Sequence, residues 1–228
     1  MADPTDQLFE QFLSHYTLRT FKKGEIIIFQ GEAPRASFIV KSGVVKAYNL
    51  SVNGDEKPVG FYTPTDTFPG AWTYGKTPSA VYYYEAFSDE VQLYSVPRED
   101  YVNFIRSNPD FMYAELQRYV LDHLAKSMRL NALQHSRAGD KLIYTLHYLA
   151  LSHGISRDQH LVEITLSLTH QDFANLTGLT RETAATELNK LKHLGIITYG
   201  KNTPYRIRLD KLANMLNDQY IAELEVQL

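Results

Sequence analysis

Cysteine is absent from the 228 residues of this chain. Without thiols the protein forms no disulfide, no thiolate zinc site and no cysteine-ligated iron–sulfur cluster. The eight histidines show no HExxH pattern or other close spacing of ligands, so we predict no metal site. We also expect no resident cofactor, and the identity of any small-molecule effector stays open.

Long apolar runs are missing as well. No stretch of about 18 apolar residues occurs, and the N-terminus lacks the basic, apolar and small-residue segments of a secretory signal. These two absences predict a soluble, cytoplasmic protein. The chain also lacks a nucleophile–base arrangement, a paired-carboxylate motif, a phosphate-binding loop and a dinucleotide fingerprint. We therefore predict that it is not an enzyme.

Overall charge gives little guidance, because 23 basic and 26 acidic residues leave a formal net charge of −3. The stretch 177–211 differs, since its basic side chains outnumber its acidic ones. The basic residues there are Arg181, Lys190, Lys192, Lys201, Arg206, Arg208 and Lys211, and the acidic ones are Glu182, Glu187 and Asp210. We expect this local excess to concentrate positive potential where the phosphates of a nucleic acid bind.

The most informative segment is 168–208, which predicts a helix, a short turn, a second helix and a hairpin. Thr169 lies three residues before Asp172 and predicts an approximate capping box at the start of the first helix. Gly178 suits the turn, because a residue without a Cβ atom takes a positive φ at little cost. Thr180 is the predicted N-cap of the second helix.

The second helix has one apolar face. Ala184, Leu188 and Leu191 recur at spacings of four and three, so we expect them on its buried side. The residues left outward are Arg181, Glu182, Ala185, Thr186, Asn189 and Lys190. After Gly195, two short strands flank residues 200–204 and predict a hairpin, the wing. Together these segments predict a winged helix-turn-helix, in which the second helix reads base edges in the major groove of DNA.

The rest of the chain bounds the architecture. Residues 18–97 contain short apolar runs separated by turn residues, which favours a small antiparallel barrel or jelly roll. Helices are predicted over 110–135 and 141–152, with a polar loop over 154–160. The predicted fold class is α+β, with an N-terminal antiparallel β-barrel or jelly roll, a long helix and a C-terminal winged helix-turn-helix. The predicted domain boundaries are 1–109 for the barrel, 110–136 for the dimerisation helix and 137–228 for the DNA-binding domain.

The long helix carries a stripe whose members step by four and three. Its positions are Met112, Leu116, Tyr119, His123, Lys126, Leu130 and Leu133. Five of the seven are apolar or aromatic, which favours a seam between two subunits, with packing on the chain's own barrel as the alternative. We assign Met112, Leu116, Tyr119, His123 and Leu130 to this dimer seam. Whether a His123 placed at a two-fold axis has a pH-sensing role stays open.

Over essentially its whole length the chain resembles the Crp/Fnr family of bacterial transcription regulators. The segments that carry the resemblance are Phe21-Lys22-Lys23-Gly24-Glu25, Gln30-Gly31-Glu32, Ser42-Gly43, Phe68-Pro69-Gly70, Asn108-Pro109-Asp110 and Leu176-Thr177-Gly178-Leu179-Thr180-Arg181-Glu182-Thr183. The resemblance implies a cyclic-nucleotide-binding-like barrel that senses a signal, and a long helix that pairs two subunits. It also implies three partners: double-stranded DNA with a palindromic operator, a second copy of this chain, and RNA polymerase.

Only some of the family's base-contacting residues have a matching residue in this chain. In the catabolite-activator branch, the residues that match Arg181 and Glu182 read bases, but the arginine one turn later is Thr186 here. The redox-sensing branch shares only Glu182. Chemically, Arg181 suits guanine, Glu182 accepts from cytosine, and Ala185 or the Thr186 methyl group suits a thymine methyl group. The predicted DNA-binding residues are Thr169, Gln171, Thr180, Arg181, Glu182, Thr183, Ala185, Thr186, Lys190 and Lys201.

The sensor site departs from the pattern of cyclic-AMP-binding relatives, which place a glutamate after the pocket glycine and hold the phosphate with an arginine. Here Ala71 follows Gly70, and no arginine lies between Arg35 and Arg98. We therefore expect the barrel not to bind cyclic AMP in the usual way. The aromatic residues nearby suit a hydrophobic effector, or a barrel filled by its own rings. The candidate pocket residues are Phe61, Gly70, Ala71, Trp72, Tyr74, Val81, Tyr82, Lys126 and Ser127.

An alternative function is a small-molecule-binding or protein-interaction module whose helix-turn-helix does not read DNA. Such a module would show no salt-dependent affinity for duplex DNA. The sequence leaves open the effector, the operator, the regulated genes and whether the protein activates or represses.

Overall fold

The computed structural model describes residues 4–200 and 203–216. The helices in that part of the chain are α1 (Pro4–Leu13), α2 (Gly70–Thr73), α3 (Arg98–Ser107), α4 (Pro109–Gln134), α5 (Ala138–His153), α6 (His170–Thr177), α7 (Arg181–His193) and α8 (Leu209–Ala213). The strands are β1 (Thr17–Lys22), β2 (Ile26–Ile28), β3 (Ser37–Ser42), β4 (Val45–Leu50), β5 (Glu56–Tyr62), β6 (Thr67–Phe68), β7 (Tyr83–Ala86), β8 (Glu90–Val96), β9 (Gly154–Ser156), β10 (Leu161–Ile164), β11 (Ile197–Gly200) and β12 (Thr203–Arg208). The chain forms two compact units that divide between Gln117 and Arg118.

Two four-stranded antiparallel sheets make up most of the N-terminal unit, in the orders β1-β8-β3-β6 and β2-β7-β4-β5. Side chains alternate along each strand, because successive residues of a pleated strand point to opposite faces. In β4, Val45 and Ala47 face the core, whereas Lys46 and Tyr48 lie on the other face of the sheet. The structure thus confirms the predicted fold class for this half of the chain.

Both sheets contribute to one apolar core. Its buried members are Phe21, Ile28, Phe38, Val40, Val45, Ala47, Phe68, Ala80, Tyr84, Ala86, Val91 and Leu93. Aromatic rings fill its centre: Phe68 stacks on Tyr84 with 5.0 Å between ring centroids, and Tyr62 lies within 6 Å of both rings. Burying each large apolar side chain stabilises the fold by roughly 1.5–3 kcal/mol, so this cluster holds the two sheets together.

A buried lysine lies on the outer face of β4. Lys46 donates to Glu56 at 2.5 Å and pairs with Glu85 at 3.3 Å, and its ammonium group stands 4.6 Å from the centroid of the Tyr48 ring. The Tyr48 hydroxyl donates to Glu85 at 3.1 Å. Burial, together with the charge of Glu85, raises the pKa of Tyr48. Two carboxylates therefore compensate a desolvated ammonium group and tie β4 to strands β5 and β7.

Helices cover one face of the other sheet. Ile39 and Val96 point away from the barrel core and pack with aromatic side chains of α1, α3 and the first turn of α4. Phe9 contacts Phe111 at 4.6 Å and Phe12 contacts Phe104 at 4.2 Å between ring centroids. The sequence interpretation did not include α1, whose apolar residues complete this second cluster.

The C-terminal unit is built around α5. Ten of its sixteen residues are buried, namely Leu142, Ile143, Tyr144, Thr145, Leu146, His147, Tyr148, Leu149, Ala150 and His153, so neighbouring elements pack around most of this helix. Burial lowers the pKa of His147 and of His153 to about 4, which keeps both imidazoles neutral near pH 7. A four-stranded antiparallel sheet, in the order β11-β12-β10-β9, completes the unit.

Some predicted boundaries need correction. The loop predicted over 154–160 contains strand β9, which pairs with β10 through Val162 and Ser156. Helix α4 agrees with its prediction to within about one residue at each end. In the described ranges no helix combines the length and hydropathy needed to cross a membrane. Those same ranges hold no cluster of three or more histidine, aspartate or glutamate residues arranged to hold a metal ion.

Candidate nucleic-acid interface

Helix α6 begins with the predicted capping box. The Thr169 side-chain oxygen accepts a hydrogen bond from the Asp172 amide at 3.2 Å, and the Asp172 carboxylate accepts one from the Thr169 amide at 2.7 Å. Two amides that a helix start leaves unpaired are thereby satisfied, so the cap fixes where α6 begins. Gln171 is exposed in the first turn of the helix and donates to Asn175 at 2.8 Å.

The turn between α6 and α7 depends on a left-handed glycine. Gly178 has φ 68° and ψ 24°, and its amide donates to the Ala174 carbonyl. A side chain at this position would be strained, because L residues rarely adopt that conformation. Thr180 follows two residues later and caps α7 by accepting from the Thr183 amide at 3.2 Å. The predicted helix-turn-helix is confirmed, including both caps.

Helix α7 has a buried and an exposed face. Ala184, Leu188 and Leu191 are 0%, 0% and 4% exposed, and the helix packs against α5 and α6. Arg181 and Glu182 are exposed at its start. In the part of the chain that the structure describes, neither side chain forms a hydrogen bond or an ion pair. Both are therefore available to an external partner.

Other predicted contact residues on α7 are partly engaged within the helix. The Thr183 hydroxyl lies 3.0 Å from that of Thr180, and the Thr186 hydroxyl donates to the Glu182 carbonyl at 2.9 Å. The methyl group of Thr186 is therefore the part of its side chain that is left for an external contact. Lys190 pairs with Glu187 at 2.6 Å, one turn earlier. Ala185 is half-buried beside these residues.

Tyr199 joins the wing to the helix-turn-helix. Its hydroxyl donates to Asn189 on α7 at 2.8 Å, and its ring stacks on Tyr205 with 4.6 Å between centroids. The ring of His170, at the start of α6, meets Tyr199 edge-on at 5.6 Å. Burial, and secondarily the charge of Arg181, lowers the pKa of His170. Sequence analysis missed the roles of Tyr199 and His170, although tyrosines on both strands of a hairpin are a signal for cross-strand stacking.

Several cations of the predicted basic face are held by carboxylates. Glu163 on β10 accepts from Arg157 at 2.7 Å and from Arg206 at 2.8 Å, and these two bonds lower its pKa. Arg208 makes two bonds of 3.0 Å to Asp210. Counting charges over 177–211 therefore overstates the free positive charge, since Glu163 lies outside that stretch. Lys201, which the sequence placed on the wing, lies outside the described residues.

The long helix presents an apolar face to solvent. Its exposed residues include every predicted seam position: Met112, Leu116, Tyr119, His123 and Leu130. At 100° per residue these five fall within a sector of about 60°. Tyr113, Val120 and Leu124 are also exposed and widen this face beyond the predicted stripe. The opposite side of the helix is buried at Ala125 and Met128.

The candidate effector residues of the barrel are only partly brought together. Trp72 and Tyr74 lie on and just after the short helix α2, beside Gly70 and Ala71. Phe61 and Tyr62 point to opposite faces of β5: Tyr62 packs against the barrel core, whereas Phe61 packs on Phe87 at 5.2 Å. The core also packs against Tyr82, while Val81 is exposed. Lys126 and Ser127 belong to the C-terminal unit, where Lys126 pairs with Asp122 at 2.6 Å.

An arginine that the sequence analysis did not assign holds α2. The Arg98 guanidinium stands 5.4 Å from the Trp72 ring centroid and donates to the Thr73 carbonyl at 3.1 Å. The buried hydroxyl of Thr73 also lies 2.8 Å from that of Ser37 on β3. Trp72 therefore already has a cation on its ring, and a ligand stacking on that face would have to displace Arg98.

Two family models match this chain. Residues 18–108 match the cyclic nucleotide-binding domain, and residues 140–216 match the Crp-like helix-turn-helix domain. A cyclic nucleotide-binding domain, a long helix and a Crp-like helix-turn-helix domain in one chain define a class of transcription regulators.

Relatives of the whole chain identify the family. The nitrogen fixation regulation protein FixK of Azorhizobium caulinodans is 30% identical over 192 residues, which cover 80% of this chain and 71% of FixK. The chain therefore belongs to the Crp/Fnr family of transcription regulators. The global nitrogen regulator of Synechococcus elongatus is 26% identical over 81% of this chain and 82% of its own length. Among solved structures, FixK2 from Bradyrhizobium japonicum shares the fold, with a TM-score of 0.71 at 20% identity over 89% of this chain and 98% of that chain.

The Glu163 ion pairs generate a first prediction. Glu163→Gln removes the charge that neutralises Arg157 and Arg206 and keeps a side chain of the same size. We expect tighter binding to random-sequence duplex DNA and a steeper dependence of affinity on salt, by about one to two charges per subunit. Fluorescence anisotropy at several salt concentrations measures both quantities. Glu99→Gln, on α3 of the N-terminal unit, is the matched control, and an unchanged slope in Glu163→Gln would show that these arginines do not face DNA.

Proposed function

We propose that this protein is a sequence-specific transcription regulator that binds a palindromic operator as a homodimer through helix α7. The observation that carries the proposal is the pair Arg181 and Glu182, exposed and unengaged at the N-terminus of a helix whose other face is buried. In the helix-turn-helix geometry this end of the second helix meets base edges in the major groove. Family membership supports the proposal, because residues 140–216 match a Crp-like helix-turn-helix domain.

The outward chemistry of α7 suggests how bases are read. The planar guanidinium of Arg181 matches the O6 and N7 acceptors of guanine, and the Glu182 carboxylate accepts from the N4 amino group of cytosine. The Thr186 hydroxyl is bonded to the helix backbone, so its methyl group is the part that meets a base, and thymine is the matching contact. Thr169 and Gln171, at the start of α6, are the proposed phosphate contacts.

Dimerisation follows from the apolar face of α4. A helix that exposes side chains such as Leu116, Tyr119 and Leu130 leaves considerable apolar surface in water, and a second copy of the same helix covers it most simply. Two-fold symmetry then places the two copies of α7 about one helical turn of DNA apart. The operator is accordingly palindromic. RNA polymerase is the further partner that family membership suggests.

The barrel is proposed to lack the usual cyclic AMP site. No arginine is available between Arg35 and Arg98 to bind a cyclic phosphate, and Arg98 itself is bonded to the Thr73 carbonyl. The interior is filled by Tyr62, Tyr84 and other rings. Any effector is therefore of a different chemistry.

A second prediction separates base reading from charge attraction. Arg181→Ala should cost about 1–3 kcal/mol per half-site on a selected operator and narrow the gap between that operator and a scrambled duplex. Lys190→Ala, on the same helix, should weaken both duplexes about equally. Titration of both variants against both duplexes measures the affinity ratio. An unchanged ratio in Arg181→Ala would contradict the recognition-helix assignment, and no duplex affinity in the wild type would favour the protein-interaction module.

A third prediction addresses the dimer. Leu116→Arg and Leu130→Asp should each dissociate the protein, because two copies of a charge enter an apolar seam. Sedimentation velocity reports the change in mass. Leu50→Asp, which alters another exposed leucine at the end of β4, is the control and should remain dimeric. If both seam variants stay dimeric while folded, the subunits pair through another surface.

A fourth prediction concerns the barrel. Isothermal titration of the protein with cyclic AMP should show no saturable binding at micromolar concentrations, because the acid and arginine that hold the ribose and phosphate are missing. Saturable binding at one molecule per subunit would show that other groups replace them and that the interpretation of residues 70–82 is wrong.

A further inference from the structure

Arg129 reaches from the long helix to the helix-turn-helix within the C-terminal unit. It lies between Met128, which is buried, and Leu130, which is 63% exposed on the proposed dimer face. Its guanidinium donates to the Leu176 carbonyl at 3.2 Å and stands 5.7 Å from the centroid of the Tyr148 ring. One side chain on α4 thus contacts both α5 and α6.

The carbonyl that accepts this hydrogen bond lies at the C-terminal end of α6. Leu176 is in the last turn of α6, where carbonyls have no partner within the helix and carry the negative end of its dipole. A cation is the favoured group there, and a hydrogen bond from a charged donor is about twice as strong as a neutral one. Gly178 and Thr180, which set the direction of α7, follow directly.

The contact between Arg129 and Tyr148 restricts the position of the guanidinium. Tyr148 is 1% exposed in the middle of α5, so the ring on which the guanidinium rests cannot move without disturbing the core of the unit. The planar guanidinium lies over this ring, 5.7 Å from its centroid, and still donates to the Leu176 carbonyl, a combination that a lysine ammonium group does not reproduce. The position of Arg129 is therefore determined by both neighbours.

We propose that Arg129 is a positioning residue that fixes the orientation of helix α7 relative to the exposed face of α4. The inference rests on the proposed function, because that face of α4 forms the two-fold contact and α7 reads the half-site. Holding the two at a fixed angle makes the dimer selective for one spacing between half-sites. Arg129 touches no base in this scheme and acts through the turn at Gly178.

The test uses palindromic duplexes that share one selected half-site and differ in centre-to-centre spacing by one or two base pairs. Wild-type protein should prefer one spacing by at least about tenfold. In Arg129→Met this preference should fall to within about threefold, with the dimer mass and the salt dependence of binding unchanged. Arg129→Lys, which keeps the charge but loses the planar group, should fall in between.

Two controls separate this role from a loss of stability. Arg19→Met removes a guanidinium that stands 5.0 Å from the Phe21 ring in the N-terminal unit, and it should leave the spacing preference intact. Hydrogen exchange provides a readout without DNA. The Leu179 amide, which donates to Ala174 at 3.1 Å, should exchange at least about tenfold faster in Arg129→Met, while the Leu146 amide in α5 should not change.

The outcomes are distinct. Wild-type protein that binds no duplex overturns the proposed function and this inference with it. A wild type that prefers one spacing, with the same preference in Arg129→Met and Arg129→Lys, overturns the role of Arg129 alone. If Arg129→Met does not fold, the spacing profile and Leu179 exchange of Arg129→Lys decide the question, and wild-type values in both refute the proposal.

Discussion

The packing of helix α7 is the constraint on which the DNA-binding end of this protein depends. Ala184, Leu188 and Leu191 are buried in the C-terminal unit, and a helix turns by 100° per residue, so burial of that side determines which residues face solvent. Arg181 and Glu182 are outward for this reason. Rotating the helix to bury either charge without a partner would cost far more than a leucine side chain gains on burial. The side chains that α7 offers to an external partner are therefore determined by apolar contacts on the opposite face.

Charge on the interface is limited by pairs formed inside the protein. Glu163 holds two guanidinium groups and Asp210 holds a third, so part of the positive charge in the sequence is already neutralised in the fold. An exposed ion pair contributes little to stability, and phosphates compete with its carboxylate when DNA approaches. These pairs therefore lower the free positive charge that the fold can offer to phosphates. The slight negative charge of the whole chain is consistent with that balance.

In the N-terminal unit, internal contacts engage both the barrel core and the short helix α2. Its core is filled by rings such as Phe68 and Tyr84, and α2 is held by Arg98 through the Thr73 carbonyl and the Trp72 ring. Trp72, which the sequence had suggested as an effector contact, is thereby already in contact with Arg98. Because close-packed interiors do not deform gradually, a ligand would reach the Trp72 ring or the core only by displacing Arg98 or rearranging the rings.

The sequence by itself determined the helix-turn-helix, both helix caps and the long helix, because each depends on residues within a few positions of one another. It also indicated the antiparallel strands through local alternation and turn residues, although their pairing, such as Thr17 with Ser95, joins distant segments. A period of 3.6 or 2, a capping threonine and a left-handed glycine are local properties. The tertiary structure decided which charges are free. Arg206 meets Glu163 across 43 residues, and Arg129 meets Leu176 across 47. Such pairs form only where the fold brings distant segments within about 3 Å, and hydrophobic periodicity carries no information about which segments those are.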